Sequence, residues 1–267
     1  MRVLVLSLYT LVAALATLAG QSQTPAADAS AIVASAREAL GGEKRLSAVK
    51  TFVINGRTRQ IQGDNLVPIE FEISCELPDR CVRRDEIPAR ESGPTANGFN
   101  GDELIQIPAP PTPPPGAGPP PVAGRGGPPP QLAAVRVNTA KQDFARWWLG
   151  MFVGSFSSFP ITFAPAGTAE APQGQADVLD ARGPANFASR LFILKESHLP
   201  IMLTWQGQAL GKPAEYRLYY ADYRDVDGLK LPFRIRRAIG ADTTEETNVD
   251  RFRINARIDP RRFEVRR

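Results

Sequence analysis

The chain has 267 residues, of which 43% are hydrophobic and 22% are charged, proportions typical of a globular protein rather than a disordered one. Its single histidine excludes histidine-rich metal centres, and its two cysteines cannot complete a four-cysteine zinc site. The formal charge of +4 comes from 32 basic and 28 acidic residues spread along the chain, which is not the pattern of a nucleic-acid-binding protein. The composition therefore indicates no cofactor, no metal and no nucleic-acid partner.

The first 20 residues are typical of an export signal. Arg2 precedes an apolar run from Val3 to Ala19, which is short for a membrane-spanning helix and is followed by polar residues without a basic flank. We predict a signal peptide at 1–20, with an uncleaved membrane anchor as the alternative. Gln21 stands where a bacterial lipoprotein would carry its acylated cysteine. The exported chain is therefore expected to be a soluble periplasmic protein.

The two cysteines lie close together in the sequence. Cys75 and Cys81 flank a segment that favours a strand, a turn and a second strand, which would bring the two sulfurs together. In an oxidising compartment such thiols join, so we predict a structural disulfide. A redox-active pair is the alternative, but the spacing is C-x5-C rather than C-x-x-C.

Three segments have helical patterns. The first is 28–40, with Asp28 or Ser30 as its N-cap, and a short helix is predicted to follow at 43–49. The third is 139–152, with Thr139 as its cap and apolar residues spaced as on one face of a helix.

Most of the remaining chain has strand patterns separated by turn residues. The predicted strands lie at 52–54, 69–73, 104–107, 161–163, 176–181, 190–195, 201–205, 216–224, 229–239, 245–254 and 263–265. They number about ten or eleven, mostly in meander order and therefore antiparallel. We predict a mainly β (α+β) fold and a single domain over 21–267.

A proline-rich insertion interrupts these patterns. The segment 108–130 holds 12 of the 25 prolines and five glycines, a composition that no strand or helix interior tolerates. We predict an extended, partly disordered surface loop. A proline-rich ligand for a protein partner is the alternative interpretation.

Several turn motifs, taken in chain order, carry a family likeness. They are Gly41-Gly42, Leu46 to Thr51, Gly98-Phe99-Asn100-Gly101, Glu196 to Pro200, Tyr219 to Tyr223, and Val226 to Pro232. In this order the chain resembles the bacterial outer-membrane lipoprotein-sorting proteins, the LolA/LolB-like carriers and their relatives. The resemblance implies a curved, open antiparallel half-barrel whose concave face is capped by helices and forms an apolar cavity for acyl chains.

The helix at 139–152 is the candidate ligand-binding element. Its apolar residues extend beyond one stripe, as expected of a helix that lies over an acyl-chain pocket. The candidate cavity residues are Phe144, Trp147, Trp148, Met151 and Phe152. We predict that Trp147 or Trp148 lines a cavity that lipid can enter.

Other residues that could carry chemistry have simpler interpretations. His198 lies in a turn without a nearby nucleophile motif, so we expect it to be solvated. Asp177 and Asp180 could form the carboxylate pair of a hydrolase. A group at 222–227 contains three aspartates, which could bind calcium, but it coincides with a predicted Asp227-Gly228 hairpin turn.

Four tyrosines lie on one predicted strand. Strand alternation places Tyr216 and Tyr220 on one face, and Tyr219 and Tyr223 on the other. We expect one of these two pairs to face the cavity or the core.

The sequence thus predicts a non-enzymatic cell-envelope protein, a monomer that binds lipid or lipoprotein acyl chains and carries them across the periplasm. One alternative is a structural or regulatory envelope module that binds protein partners through 108–130. A small envelope hydrolase is another. Peripheral contact with the membrane surface is a further alternative, because the C-terminal part of the chain is rich in basic residues, which anionic lipid head groups attract.

Overall fold

The computed structural model describes residues 28–88, 93–108 and 130–264. The predicted signal peptide at 1–20 and nearly all of the proline-rich insertion lie outside the described residues. The helices are α1 (Ala29–Ala39), α2 (Glu43–Ser47) and α3 (Pro130–Phe152). The strands are β1 (Thr51–Gln62), β2 (Asn65–Glu76), β3 (Arg80–Glu86), β4 (Thr95–Asn100), β5 (Glu103–Ile107), β6 (Thr162–Ala171), β7 (Gly174–Gly183), β8 (Phe187–Leu194), β9 (Pro200–Ala209), β10 (Lys212–Val226), β11 (Leu229–Ile239) and β12 (Asp242–Ile254).

All the strands belong to one antiparallel sheet of 12 strands, in the order β5-β4-β3-β2-β1-β12-β11-β10-β9-β8-β7-β6. The sheet is open, with β5 and β6 at its two edges, and the predicted mainly β class is confirmed. Strand β4 was not predicted, because Gly98 is typical of a turn. A Cβ at position 98 would overlap the backbone of Cys81 on β3, so this glycine permits close strand packing instead.

The sheet curves around helix α3. The ring of Phe144 packs on Phe99 of β4 with a centroid distance of 5.8 Å. Two residues on, about half a helical turn around α3, the guanidinium carbon of Arg146 lies 4.5 Å from the ring centroid of Trp205 on β9. In a flat sheet these two strands, seven positions apart, would be separated by about 34 Å. A helix only about 10–12 Å wide reaches both because the sheet wraps around it, which makes the α3 side concave.

Helix α3 begins nine residues before the predicted start at 139. Thr139 is not its cap: it lies inside the helix, and its Oγ1 donates to the Val135 carbonyl oxygen at 2.9 Å. Proline is well tolerated in the first turn of a helix, where the N–H groups have no intrahelical partner. Pro130, the last residue of the predicted insertion, therefore starts the helix. Among the described residues, no helix combines the length and apolar character that a membrane crossing requires.

The predicted disulfide is present. Cys75 and Cys81 face each other on β2 and β3 with their Cα atoms 4.2 Å apart, and both are fully buried. The bond closes a short hairpin at the inner face of the sheet.

The predicted strand at 263–265 is wrong as far as it is described. Residues Pro260–Phe263 form a 3₁₀ turn, capped by Asp259, whose side chain accepts from the Arg261 N–H. Phe263 is buried on the convex face against Val82 and Ile105. Apolar character at 263 therefore reflects tertiary packing of a turn rather than strand pairing.

Candidate functional site: a cleft beside helix α3

The five candidate residues of α3 lie together in the protein interior. None is more than 7% exposed, and they pack among aromatic side chains of the sheet. Phe144 and Trp148 contact the ring of Phe99, and Phe152 contacts Phe52. The half of α3 that ends at Phe152 therefore packs inside the curved sheet and forms the centre of the hydrophobic core.

Polar contacts fix the C-terminal half of α3 in this position. The hydroxyl of Tyr220 donates to the Arg146 carbonyl oxygen at 2.5 Å, and that of Tyr223 donates to the Gly150 carbonyl oxygen at 2.8 Å. From α1, the Arg37 guanidinium donates to the Phe152 carbonyl oxygen at 2.7 Å. The last carbonyls of a helix lack intrahelical donors, so Tyr223 and Arg37 satisfy groups that would otherwise be buried and unpaired, and Tyr220 adds a second hydrogen bond deeper in the helix.

The tyrosine arrangement differs from the predicted alternation. Tyr220 and Tyr223, one from each predicted pair, both contact α3. Between them Asp222 has a left-handed φ of 56°, which breaks the regular alternation of β10. Burial raises the pKa of both Tyr220 and Tyr223 above the ordinary value, so both hydroxyls stay protonated and can donate.

A cleft of about 370 Å³ opens between α3 and the concave face of the sheet. Two of the five candidate residues, Phe144 and Trp147, line it, and the other apolar lining residues are Ile69, Ile73 and Ile87. The remaining three candidates pack elsewhere. Trp148, for example, contacts Phe156 with a ring-centroid distance of 4.7 Å. The structure thus places the N-terminal part of the predicted stripe at a cleft and the C-terminal part in the core.

Charged groups share the lining of this cleft. The Arg83 guanidinium lies 4.9 Å from the ring centroid of Phe71 and 6.0 Å from that of Trp147. Its Nε is 2.7 Å from an oxygen of Asp85. A second pair, Arg237 and Glu245, has an N–O distance of 3.3 Å. The cleft is therefore amphipathic, with apolar walls and paired charges.

Sequence reasoning missed these charged residues. One signal was available: Cys81, Arg83 and Asp85 alternate along β3, so an inward-facing cysteine implies two inward-facing charged neighbours. The pairing of Arg237 with Glu245 depends on the register of β11 and β12, which the sequence does not reveal.

The aspartates proposed as catalytic do not come together. Asp177 and Asp180 lie three residues apart on β7, which places them on opposite faces of the sheet. Asp177 is 3.6 Å from the Lys195 amine, and Asp180 is 3.1 Å from the Arg190 guanidinium. Their carboxylates therefore stabilise the strand surface and do not form a pair.

The turn residues are in their expected positions. His198 is exposed in the turn between β8 and β9, with a φ of 56°. Asp227 and Gly228 both have positive φ, as the predicted hairpin requires, and Asp225 accepts from the Gly228 N–H at 3.1 Å. Within the described ranges, no three ligating side chains converge in a way that could hold a metal ion.

The chain has structural relatives, although no protein-family model and no curated protein matches its sequence. The LolA superfamily protein of Nitrosomonas europaea is 14% identical, with a TM-score of 0.55 over 89% of this chain and 97% of that one. A putative outer membrane lipoprotein-sorting protein domain from Vibrio parahaemolyticus is 10% identical, with a TM-score of 0.51 over 88% of this chain and 97% of that one. The resemblance carried by the turn motifs is thus confirmed at the level of the fold: the chain has the open half-barrel of the lipoprotein-sorting proteins.

Proposed function

We propose that this protein is a non-enzymatic carrier of the bacterial envelope, which binds an acyl chain of a lipid or lipoprotein in the cleft beside α3. The observation that carries the proposal is the cleft itself, in which Ile69, Ile87 and Trp147 face open space next to the aromatic core. Its volume of about 370 Å³ lies in the lower part of the range usual for small-molecule sites. The fold shared with lipoprotein-sorting proteins supports the same conclusion.

The hydrocarbon enters the cleft while α3 stays in place. Three side chains, Arg37, Tyr220 and Tyr223, attach the C-terminal half of α3 to the rest of the molecule. Moving this half would leave the Gly150 and Phe152 carbonyls without donors, which costs about 1–3 kcal/mol for each group. Helix α3 is therefore one wall of the site rather than a lid that opens.

We further propose that the protein works in the periplasm as a monomer. The buried Cys75–Cys81 disulfide supports this location, because such bonds persist in oxidising compartments. Two rival functions remain as outcomes of the experiments. A hydrolase would need a carboxylate pair other than Asp177 and Asp180, and a protein-binding module would act through 108–130.

The carrier function is tested with two ligands of equal chain length, a fatty acid and the corresponding uncharged monoacylglycerol. Native mass spectrometry measures the bound ligand, and the fluorescence of Trp147 against the other tryptophans follows the titration. Ile87→Asp places a carboxylate in the cleft at a half-buried position, so the fold should tolerate it. We expect this variant to bind both ligands at least about tenfold more weakly, because an acyl chain cannot solvate the new charge.

Ile61→Asp is the matched control, because Ile61 is 39% exposed and lies outside the cleft lining. This variant should bind like the wild type. Absence of any binding, or equal loss in the two variants, contradicts the carrier function. Hydrolysis of the monoacylglycerol would favour an enzyme. If deletion of 109–129 abolished the role of the protein in the cell but left acyl binding intact, the protein-binding module would be favoured.

A further inference from the structure

A second groove, of about 500 Å³, adjoins the cleft beside α3. Asp85, Thr95 and Asn97 line both, so the two spaces form one continuous depression under the N-terminal half of α3. The second groove has no aromatic residue among the described residues of its lining, and Gln106 and Arg136 complete a mostly polar wall. An amphiphile with its hydrocarbon in the cleft would therefore have its head in this polar groove.

The strand register explains why polar groups face inward here. Arg83 pairs with Asn97 across β3 and β4, and Asn97 pairs with Gln106 across β4 and β5. Side chains opposite each other in an antiparallel sheet lie on the same face, so the three form a polar row across the concave surface. In the described part of the chain, neither side-chain amide has a protein hydrogen-bond partner, which leaves their donors and acceptors for a ligand.

The groove carries one uncompensated positive charge among the residues that the structure describes. Its one carboxylate, Asp85, is already paired with Arg83 at 2.7 Å. Arg136 has no ion pair, and one of its terminal guanidinium nitrogens is buried without an acceptor. A buried guanidinium N–H without an acceptor is unfavourable, and an oxyanion would relieve it.

We propose that the polar groove binds the anionic head, a phosphate or a carboxylate, of the amphiphile whose acyl chain lies against the apolar wall of the cleft. Arg136 provides the charge, and the amides of Asn97 and Gln106 donate further hydrogen bonds to the oxyanion. This inference rests on the proposed carrier function and narrows its substrate class to anionic lipids. Uncharged acyl compounds bind through the cleft alone and hence more weakly.

The test compares a lysophosphatidic acid with the monoacylglycerol of the same chain length, which lacks the phosphate. The wild type should prefer the anionic ligand by about tenfold or more, the usual effect of a hydrogen bond to a charged group. Arg136→Gln should abolish this preference and leave the affinity for monoacylglycerol unchanged. Arg251→Gln is the matched control, because Arg251 is exposed on β12 and lines neither space.

The outcomes separate the two proposals. Equal wild-type affinity for the two ligands, or equal weakening of both by Arg136→Gln, overturns the headgroup site while acyl binding stands. If neither ligand binds, the carrier function fails and the headgroup site fails with it. Inorganic phosphate is the third probe: if it binds alone with the same dependence on Arg136 and an affinity equal to that of the lipid, the groove is a site for free anions. Equal urea midpoints of the variants and the wild type show that the fold is retained.

Discussion

The last turns of α3 offer a sharp test of how the helix is held, because two of its carbonyls have unequal numbers of donors. The Gly150 carbonyl lies too near the helix end for an intrahelical partner, and within the described chain the Tyr223 hydroxyl, at 2.8 Å, is its donor. The Arg146 carbonyl lies deeper in α3 and accepts the N–H four residues on as well as the Tyr220 hydroxyl. Tyr223→Phe therefore leaves a buried carbonyl unpaired, whereas Tyr220→Phe does not.

The expected magnitudes differ accordingly. An unsatisfied buried carbonyl costs about 1–3 kcal/mol, and loss of one hydrogen bond with its acceptor still paired costs about 0.5–1.5 kcal/mol. We expect Tyr223→Phe to lower the free energy of unfolding by about 1 kcal/mol more than Tyr220→Phe does. Both hydroxyls are buried, so neither variant gains a compensating contact with water.

Urea unfolding followed by circular dichroism measures this difference, provided that the variants have equal m-values. Tyr216→Phe is the control, because its hydroxyl bonds to the Gln208 carbonyl oxygen at an exposed position and its loss should cost little. A cost for Tyr220→Phe equal to or greater than that for Tyr223→Phe would refute the donor argument.

Two further predictions concern the contact of α3 with Tyr220 and Tyr223 of β10. Gly150→Ala should destabilise the protein by about 1–3 kcal/mol in urea unfolding, although such a change in a helix interior ordinarily stabilises by about 0.5–1 kcal/mol. The added Cβ would lie 2.7 Å from Cζ of Tyr220 and closer still to two other ring carbons, so a stabilised variant would contradict this packing. Stability should also fall above pH 10, because burial raises the folded-state pKa of Tyr220 and Tyr223 and only the unfolded chain then loses their protons. The decline should be shallower in the double Phe variant, by at most about 1.4 kcal/mol per pH unit for each tyrosine, and equal declines would show that neither is buried in this way.

Local chemistry made several elements predictable. Helix α1 follows Asp28, whose carboxylate accepts from the Ser30 N–H at 3.2 Å as a cap should. The two glycines after α1 have positive φ and end it. Asp227 and Gly228 form the predicted hairpin turn. Each of these features depends on a few consecutive residues, which the sequence displays directly.

Features that depend on distant parts of the chain could not be predicted. The burial of Phe263 requires Val82 and Ile105, which lie far away in sequence, so its apolar character was assigned to a strand. The separation of Trp147 from Trp148, one at the cleft and one in the core, is set by how the sheet curves around α3. Helical periodicity identifies the stripe that contains both but not the neighbour that each one meets.

The open sheet has a consequence for the behaviour of the protein at high concentration. An edge strand presents unpaired N–H and C=O groups on which a further strand can build. On β6, Pro165 offers no N–H, and the pairing with β7 slips between Pro165 and Thr168. On the opposite side β5 is only five residues long and is followed at once by Pro108. Both ends of the sheet are thus poor templates, and the open architecture does not favour growth into fibrils.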